Sequence, residues 1–303
     1  MPLHPQAQAV ADFYAAVRTT PFEELSPTEA RALYSAGQVP STEVVHEIRD
    51  VQAGSIPCRL YRPSVKTDLG LLVFFHGGGW VIGDLNSHDG VCRSLANKSG
   101  HAVLSVDYRL APEHKFPIPF DDCWASVEWV IENAKSLNIN PKKIAVSGDS
   151  AGGNLASAVA LKARDKNIEL AYQLLLYPCN QKDRDTESMN DYAEGYGFTR
   201  YRMTYLWDQY LNGNSDDNNP YAVPQSAPTL KGLAPAIVIL AQCDVLYSDG
   251  KKYAQRLTDE EVSVSLREYP GMLHGFFSLG AFLTDSLRLR EEISEEINKI
   301  LGS

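Results

Sequence analysis

The chain has 303 residues, 44% of them hydrophobic, so it is long enough to bury one large core or two small ones. Its formal net charge of −10 argues against a nucleic-acid partner and against binding to an anionic membrane surface, because both attract basic proteins. We therefore expect neither kind of partner.

The five cysteines are scattered, odd in number and without a Cys-x-x-Cys pair. This pattern predicts neither a disulfide framework nor a zinc ribbon, so we expect reduced, mostly buried thiols. The first six residues lack the positive and apolar regions of a signal peptide, and no apolar run approaches the ~20 residues of a membrane span. These features predict a soluble cytoplasmic protein, with a homodimer as an open alternative to a monomer.

The first ~45 residues predict helices that precede any strand. Apolar residues have helical spacing from Val10 to Val17. The segment 26–29 (Ser-Pro-Thr-Glu) has the form of a capping box with proline at the first helical position, and Gly37 is placed to end that helix. From Glu43 to Pro63, two alternating segments separated by Gly54 predict a pair of antiparallel strands.

Short apolar runs then alternate with helical stretches. The runs are Leu71–Phe75, Ala102–Val106, Ile144–Ser147, Leu170–Tyr177, Ala236–Ala241 and Val262–Tyr269. Helices are predicted at Asp121–Leu137 and Ala151–Arg164. Continuous β-rich runs of this length are typical of a parallel sheet covered on both faces. The predicted fold class is therefore α/β, doubly wound, with a mostly parallel twisted sheet flanked by helices.

A polar, tyrosine-rich insertion at 183–219 interrupts this alternation. We expect a helix at Arg200–Leu211 within it. The C-terminal segment Ser286–Leu301 places apolar residues at near-helical spacing among charges, which predicts an amphipathic surface helix.

The Gly-Asp-Ser-Ala-Gly segment at 148–152 follows a predicted strand and opens a predicted helix. A turn this sharp forces Ser150 into a strained conformation, and glycines two residues before and after it remove side chains that would collide. The alternative is a purely structural glycine-rich turn that joins the strand to the helix. The flanking elements favour Ser150 as a nucleophile.

The segment 76–80 (His-Gly-Gly-Gly-Trp) directly follows the strand at 71–75. Glycines at the carboxyl end of a strand let the backbone approach a reacting carbonyl and direct N–H groups at it. We expect the oxyanion to be held by the amides of Gly78 and Gly79, joined by that of Ala151 at the start of the next helix. His76 and Trp80 are interpreted as structural supports.

Among the seven histidines, His274 follows a predicted strand late in the chain. The order serine, acid, histidine along the chain favours it as the general base. Asp244, which follows the strand at 236–241, is the predicted partner carboxylate. Asp249 is the rival, although it is more easily interpreted as a residue at the start of a helix.

Together these motifs resemble the hormone-sensitive-lipase-like group of α/β-hydrolases, which contains bacterial carboxylesterases. The resemblance extends to the segments at 107–114 and 176–178 and covers roughly residues 76–276. It implies a single α/β-hydrolase domain in which Ser150, Asp244 and His274 form the triad and Gly78, Gly79 and Ala151 line the oxyanion hole.

The resemblance also implies a helical cap, formed by about 1–39 and 183–219, over a catalytic core at about 43–182 and 220–303. The aromatic residues Tyr196, Tyr205 and Trp207 are candidates for substrate contacts in the cap. Arg109 and Glu113 are expected to brace the loops through charge-assisted hydrogen bonds.

The chain departs from the family pattern at two positions, because Val245 follows the triad aspartate and Lys115 stands where proline is common. Both lie outside the predicted chemistry.

The resulting hypothesis is a serine carboxylesterase that hydrolyses short- to medium-chain acyl esters through an acyl-enzyme, without a metal or cofactor. An aromatic cap would line an apolar pocket of limited size. One alternative is a ligand-binding receptor on the same fold. The other is a hydrolase specialised for sugar acetates, lactones or amides, since the same triad serves all of these.

Overall fold

The computed structural model describes residues 2–17 and 20–302. Met1, Arg18, Thr19 and Ser303, which fall within the predicted cap and core ranges, lie outside the described residues. The helices are α1 (Pro5–Val17), α2 (Pro27–Ala36), α3 (Asp89–Ser99), α4 (Ile118–Asn133), α5 (Ala151–Asp165), α6 (Glu187–Asp191), α7 (Arg200–Tyr210), α8 (Tyr247–Asp259) and α9 (Thr284–Gly302). The strands are β1 (Glu47–Ala53), β2 (Ile56–Arg62), β3 (Leu69–Phe75), β4 (Ala102–Val106), β5 (Ile139–Asp149), β6 (Gln173–Leu176), β7 (Ala236–Cys243) and β8 (Val264–Leu273).

All eight strands join one sheet in the order β1-β2-β4-β3-β5-β6-β7-β8. β1 pairs antiparallel with β2, and β2 pairs antiparallel with β4, whereas the remaining neighbours are parallel. The prediction of a mostly parallel sheet is confirmed. The carboxyl ends of β3, β5, β7 and β8 consequently lie along the same edge of the sheet, where α/β folds place their ligands.

Several local predictions are confirmed in detail. Ser26 and Glu29 form a reciprocal capping box at the start of α2, with Pro27 in the first turn, and Gly37 ends the helix. β1 and β2 form the expected hairpin around Gly54. β8 extends beyond the predicted Val262–Tyr269 run to Leu273, so its last residue directly precedes His274.

The sheet separates two apolar layers, because successive side chains of a strand point to opposite faces. Leu71, Val73 and Phe75 of β3 pack in one cluster, which takes buried residues from α4, α5 and α8. Leu72 and Phe74 pack in the other, with residues of α1, α3 and α9. Within the part of the chain that the structure describes, no helix is long and apolar enough to cross a membrane.

The turn from β5 into α5 passes close against the end of β3. A Cβ atom at Gly152 would overlap the Phe75 carbonyl oxygen and lie 2.7 Å from the His76 carbonyl oxygen. A Cβ atom at Gly148 would overlap the Gly152 carbonyl in turn. These obstacles are main-chain atoms at the end of β3 and in the first turn of α5, so they have no rotamer by which to move away. The close approach of β3 to α5 therefore requires glycine at both positions.

Replacing Gly152 with alanine is expected to lower the free energy of unfolding by ~3 kcal/mol or more, because the added methyl group meets main-chain atoms. Urea denaturation followed by circular dichroism measures the change. Gly37→Ala is the matched control, since its Cβ would meet its nearest atoms at 3.6 Å, an ordinary van der Waals distance. Equal stability of the two variants would contradict the steric argument.

Candidate active site

Ser150 occupies the sharp turn between β5 and α5. Its backbone has φ 57° and ψ −118°, a region in which a side chain carries strain of order 1–3 kcal/mol. The turn is held by a hydrogen bond of 2.8 Å from the Ser150 N–H to the carbonyl of Leu176 at the end of β6. The hydroxyl therefore lies at the carboxyl edge of the sheet, as the motif predicts.

The structure brings Ser150, His274 and Asp244 into one hydrogen-bonded row. Nε2 of His274 lies 2.9 Å from Oγ of Ser150, and Nδ1 lies 2.6 Å from Oδ2 of Asp244. With Nδ1–H donating to the carboxylate, Nε2 is left to accept the hydroxyl proton. The other oxygen of Asp244 accepts the N–H of Leu246 at 2.9 Å, which fixes the carboxylate in this orientation.

Asp249, the rival carboxylate, is engaged elsewhere. It lies in the first turn of α8, and its Oδ2 accepts the backbone N–H groups of Asn180 (2.7 Å) and Gln181 (3.1 Å). Burial raises the pKa of Asp249 well above its ordinary value, which favours the neutral acid. Its geometry is that of a group that fixes the loop after β6.

The glycine loop after β3 adopts conformations that other residues avoid. Gly78 has φ 119° and Gly79 has φ 61°, and a Cβ atom at Gly78 would overlap the Ile82 carbonyl. The carbonyl of Gly78 accepts the N–H of Ile82 at 3.0 Å, which closes the turn. Both glycines line the same cavity as Ser150 and His274. Ala151 is buried at the start of α5.

Asp149 links this loop to the turn at Ser150, a role that the sequence reasoning missed. Its Oδ1 accepts the Gly77 N–H at 2.8 Å and lies 3.1 Å from Nε2 of His88. Burial acts to raise the pKa of Asp149, but His88 and the N–H of Gly77 outweigh it and lower the pKa, which favours the carboxylate. The position next to Ser150 could have suggested Asp149, whereas no sequence pattern pointed to His88.

His76 supports the loop, in agreement with its interpretation as a structural residue. Its ring stacks on Tyr108 at 4.3 Å between centroids, and its Nδ1 lies 2.8 Å from the Gly77 carbonyl. Complete burial lowers the pKa of His76 to about 4, and the neighbouring His88 adds to this effect. The ring is therefore neutral near pH 7 and donates Nδ1–H to the carbonyl.

A cavity of about 840 Å³ opens above Ser150. Its wall takes residues from α1 and α2, the glycine loop, the 183–219 insertion and the segment after His274. Aromatic side chains are frequent in it: Phe13, Tyr14, Tyr34, Phe198 and Phe282. A mainly apolar cavity with a few convergent polar groups is typical of a small-molecule site.

The three aromatic residues predicted as substrate contacts lie away from this wall. Trp207 is buried and packs on Trp80, 4.5 Å between ring centroids. Tyr205 packs against Phe22 and Tyr196 against Tyr192. The insertion instead contributes Gly197, Phe198, Arg202 and Leu206 to the cavity. Helix geometry explains the difference, because residues 202 and 206 share one face of α7 while 205 and 207 point elsewhere.

Phe198 also contacts His274 itself, which the sequence reasoning did not anticipate. Its ring stacks on the imidazole of His274 with centroids 4.4 Å apart and planes inclined by 21°. Tyr177 approaches the same imidazole edge-on, at 4.9 Å and 62°.

The predicted braces are present. Arg109 holds Asp122 through two side-chain hydrogen bonds of 2.9 and 2.6 Å. Glu113 receives two hydrogen bonds from Arg31 of α2, which also donates to the Val81 carbonyl. The Arg31 contacts tie α2 to the segments that follow the glycine loop, and the Arg109 contacts tie the 107–114 segment to α4.

All five cysteines are buried and free of disulfides, as expected. Over residues 2–17 and 20–302, no group of three or more His, Cys, Asp or Glu side chains is arranged to hold a metal ion.

Comparison with known proteins places this geometry in a family. The profile of a family described by its α/β-hydrolase fold matches residues 72–278, a range that includes Ser150, Asp244 and His274. An arylesterase of Saccharolobus solfataricus is 36% identical over 284 residues, which are 91% of this chain and 92% of the relative. A carboxylesterase of Mycobacterium tuberculosis is 42% identical over 226 residues, 73% of this chain and 71% of the relative.

The solved structures agree with the sequence relatives. The hyperthermophilic esterase from the archaeon Pyrobaculum calidifontis superposes with a TM-score of 0.94 at 35% identity, and the match covers 100% of each chain. The motifs, the fold and these relatives point to the same group. The chain therefore belongs to the α/β-hydrolase family, within its hormone-sensitive-lipase-like carboxylesterases.

Proposed function

We propose that this enzyme hydrolyses short- to medium-chain carboxylic esters with Ser150 as nucleophile, His274 as general base and Asp244 as the carboxylate that orients the base. The observation that carries the proposal is the unbroken row of hydrogen bonds from Ser150 Oγ through the imidazole to Asp244. A hydroxyl is a weak nucleophile on its own, and a base within hydrogen-bond reach activates it.

In the first step, Ser150 Oγ attacks the ester carbonyl carbon while His274 Nε2 takes the hydroxyl proton. The imidazolium that forms is stabilised by Asp244 and then gives its proton to the departing alcohol. Water attacks the acyl-enzyme in the second step, again with His274 as base, and the imidazolium returns the proton to Ser150 Oγ as the carboxylic acid leaves. Both steps need only groups of this chain and water.

The oxyanion of each tetrahedral intermediate is assigned to the amides of Gly78, Gly79 and Ala151. Two features support this assignment: the glycines line the cavity at the nucleophile, and the Ala151 amide belongs to the first turn of α5, where N–H groups lack helical partners. The Gly77 amide is engaged by Asp149. The amide of the first glycine therefore holds the loop in place, and the amides of Gly78 and Gly79 remain for the oxyanion.

We further propose that about 1–39 and 183–219 form a cap over the core. Val10, Tyr34, Phe198 and Leu206 come from these segments and line the cavity above Ser150. Such a cap would exclude water from the site, which strengthens the electrostatic interactions of the transition state. The cavity must hold both the acyl and the alcohol part of the ester, so it favours acyl chains of limited length.

A cytoplasmic location is also proposed for the enzyme. It is supported by the five buried thiols, none of which is in a disulfide. Reducing compartments keep such thiols free.

Ser150→Ala is expected to lower kcat for p-nitrophenyl butyrate by at least about 10⁴-fold, because no other group supplies the attacking oxygen. Ser147→Ala is the matched control, since Ser147 is buried three residues earlier in β5 and should leave kcat within about threefold. Parent-like activity of Ser150→Ala would contradict the assignment of Ser150 as the nucleophile.

Asp244→Asn is expected to lower kcat by about 10⁴-fold, since the amide would impose the wrong imidazole tautomer. Asp249→Asn makes the same chemical change at the rival carboxyl. It should keep kcat within about threefold, because the amide oxygen can still accept from Asn180 and Gln181. Steady-state kinetics of both variants test the assignment, and the reverse pattern would transfer the role to Asp249.

Acyl-chain preference can be measured with p-nitrophenyl esters from acetate to hexadecanoate, each kept below its solubility limit. We expect kcat/KM to peak between butanoate and octanoate and to fall at least about tenfold at hexadecanoate, because the cavity cannot enclose the longest chain with its alcohol. A steady rise to hexadecanoate would be incompatible with the proposed substrate class.

A further inference from the structure

The imidazole of His274 has an aromatic ring over its face as well as a carboxylate at its edge. Phe198 stacks on it with centroids 4.4 Å apart and planes inclined by only 21°. Asp244 contacts Nδ1 in a hydrogen bond of 2.6 Å. The two neighbours therefore act on the ring from different directions.

The face of a phenyl ring carries negative charge density from its quadrupole. A cation placed over that face is attracted to it, whereas a neutral ring gains much less. The imidazole of the relay alternates between these two states, since it becomes an imidazolium when Ser150 attacks. The Phe198 ring is thus placed to stabilise the charged form of the imidazole more than its neutral form.

We propose that Phe198 is a positioning residue for His274 that stabilises the imidazolium formed during acyl transfer, in addition to lining the substrate cavity. The inference rests on the proposed role of His274 as general base. Phe198 acts through the base, because the proposed mechanism assigns it no contact with the reacting atoms. An interaction that strengthens when the base becomes charged favours the transition state over the ground state.

The charged and titratable groups that face His274 come from several elements. Asp244 at the end of β7 favours the imidazolium, and Asp149, which lines the same cavity beside Ser150, adds to that tendency. Tyr177 after β6 is neutral, since burial raises its pKa well above its ordinary value. The guanidinium of Arg202 lies 5.6 Å from the Phe198 centroid and opposes the imidazolium. The contribution of Phe198 is superimposed on these effects.

The position of the Phe198 ring is set by its neighbours in the chain. Gly195 and Gly197 have φ of 86° and 82°, which turns the chain sharply before the ring. Thr199 then caps α7 by accepting the Arg202 N–H at 3.0 Å. The start of α7 therefore holds Phe198 over the base.

Phe198→Leu removes the π face while keeping an apolar side chain of similar bulk. We expect it to lower the apparent pKa of the acid limb of the kcat/KM profile by about half a unit, because the imidazolium loses stabilisation. The plateau kcat should fall about threefold for the same reason. Phe198→Tyr retains the aromatic face and should keep both values close to those of the parent.

The direction in which the acid limb moves distinguishes stabilisation of the imidazolium from a role in which Phe198 only excludes water. A side chain that only excluded water would disfavour the imidazolium, so its loss would move the acid limb upward. Phe282→Leu is the matched control, because Phe282 lines the same cavity and is 53% exposed. It should change KM without moving the limb.

Titration of the His274 ring by NMR in a Ser150→Ala background, with and without Phe198→Leu, gives a readout that does not depend on turnover. A downward shift of about half a unit is expected there as well. An unchanged or raised His274 pKa in the Leu variant, or an equal shift in the Tyr variant, would overturn the inference. Activity that survives Ser150→Ala would instead overturn the proposed function, so the two failures are distinguishable.

Discussion

The close approach of two backbone segments at the carboxyl edge of the sheet is the constraint on which the rest of the site depends. The end of β3 and the turn into α5 lie so near each other that a single methyl group at Gly152 would overlap a strand carbonyl. This contact fixes the distance between the glycine loop that follows β3 and the serine that precedes α5. Parallel pairing then places Asp244 and His274 at the same edge, since β7 and β8 end there.

A buried carboxylate completes what the steric contact begins. Asp149 stands between the glycine loop and the turn at Ser150, and its carboxylate accepts the Gly77 N–H on one side, with the His88 ring on the other. A buried carboxylate without partners would be strongly unfavourable, so Asp149 requires both contacts. Its hydrogen bond from Gly77 therefore holds the glycine loop at a fixed position relative to Ser150. The neutral His76 below adds a fixed ring without adding a competing charge.

Features that a local sequence pattern specifies could be predicted from the sequence. The strands, the capping box of α2 and the positions of Ser150, Asp244 and His274 followed from patterns and spacing, because each pattern depends on local geometry. Helix α3 was not predicted, since its buried face mixes small and apolar side chains: Val91, Cys92, Ser94, Leu95 and Ala96. The aromatic residues of the 183–219 insertion could not be ranked either, since an aromatic ring can pack on several apolar surfaces and only the tertiary structure decides which one it contacts.

The packing of α7 determines which surface each of these aromatic rings contacts. Trp207 packs against Trp80, the residue after the glycine loop, and Leu206 meets Gly79 of the loop itself. These contacts fix the rotation of the helix, which turns Tyr205 toward Phe22 and leaves Phe198 at the helix start over His274. The glycine loop and the ring over His274 are thereby supported by the same short helix, although Gly78 and Phe198 lie 120 positions apart in the sequence. Their relative position is a property of the tertiary packing of α7, which explains why no local pattern contained it.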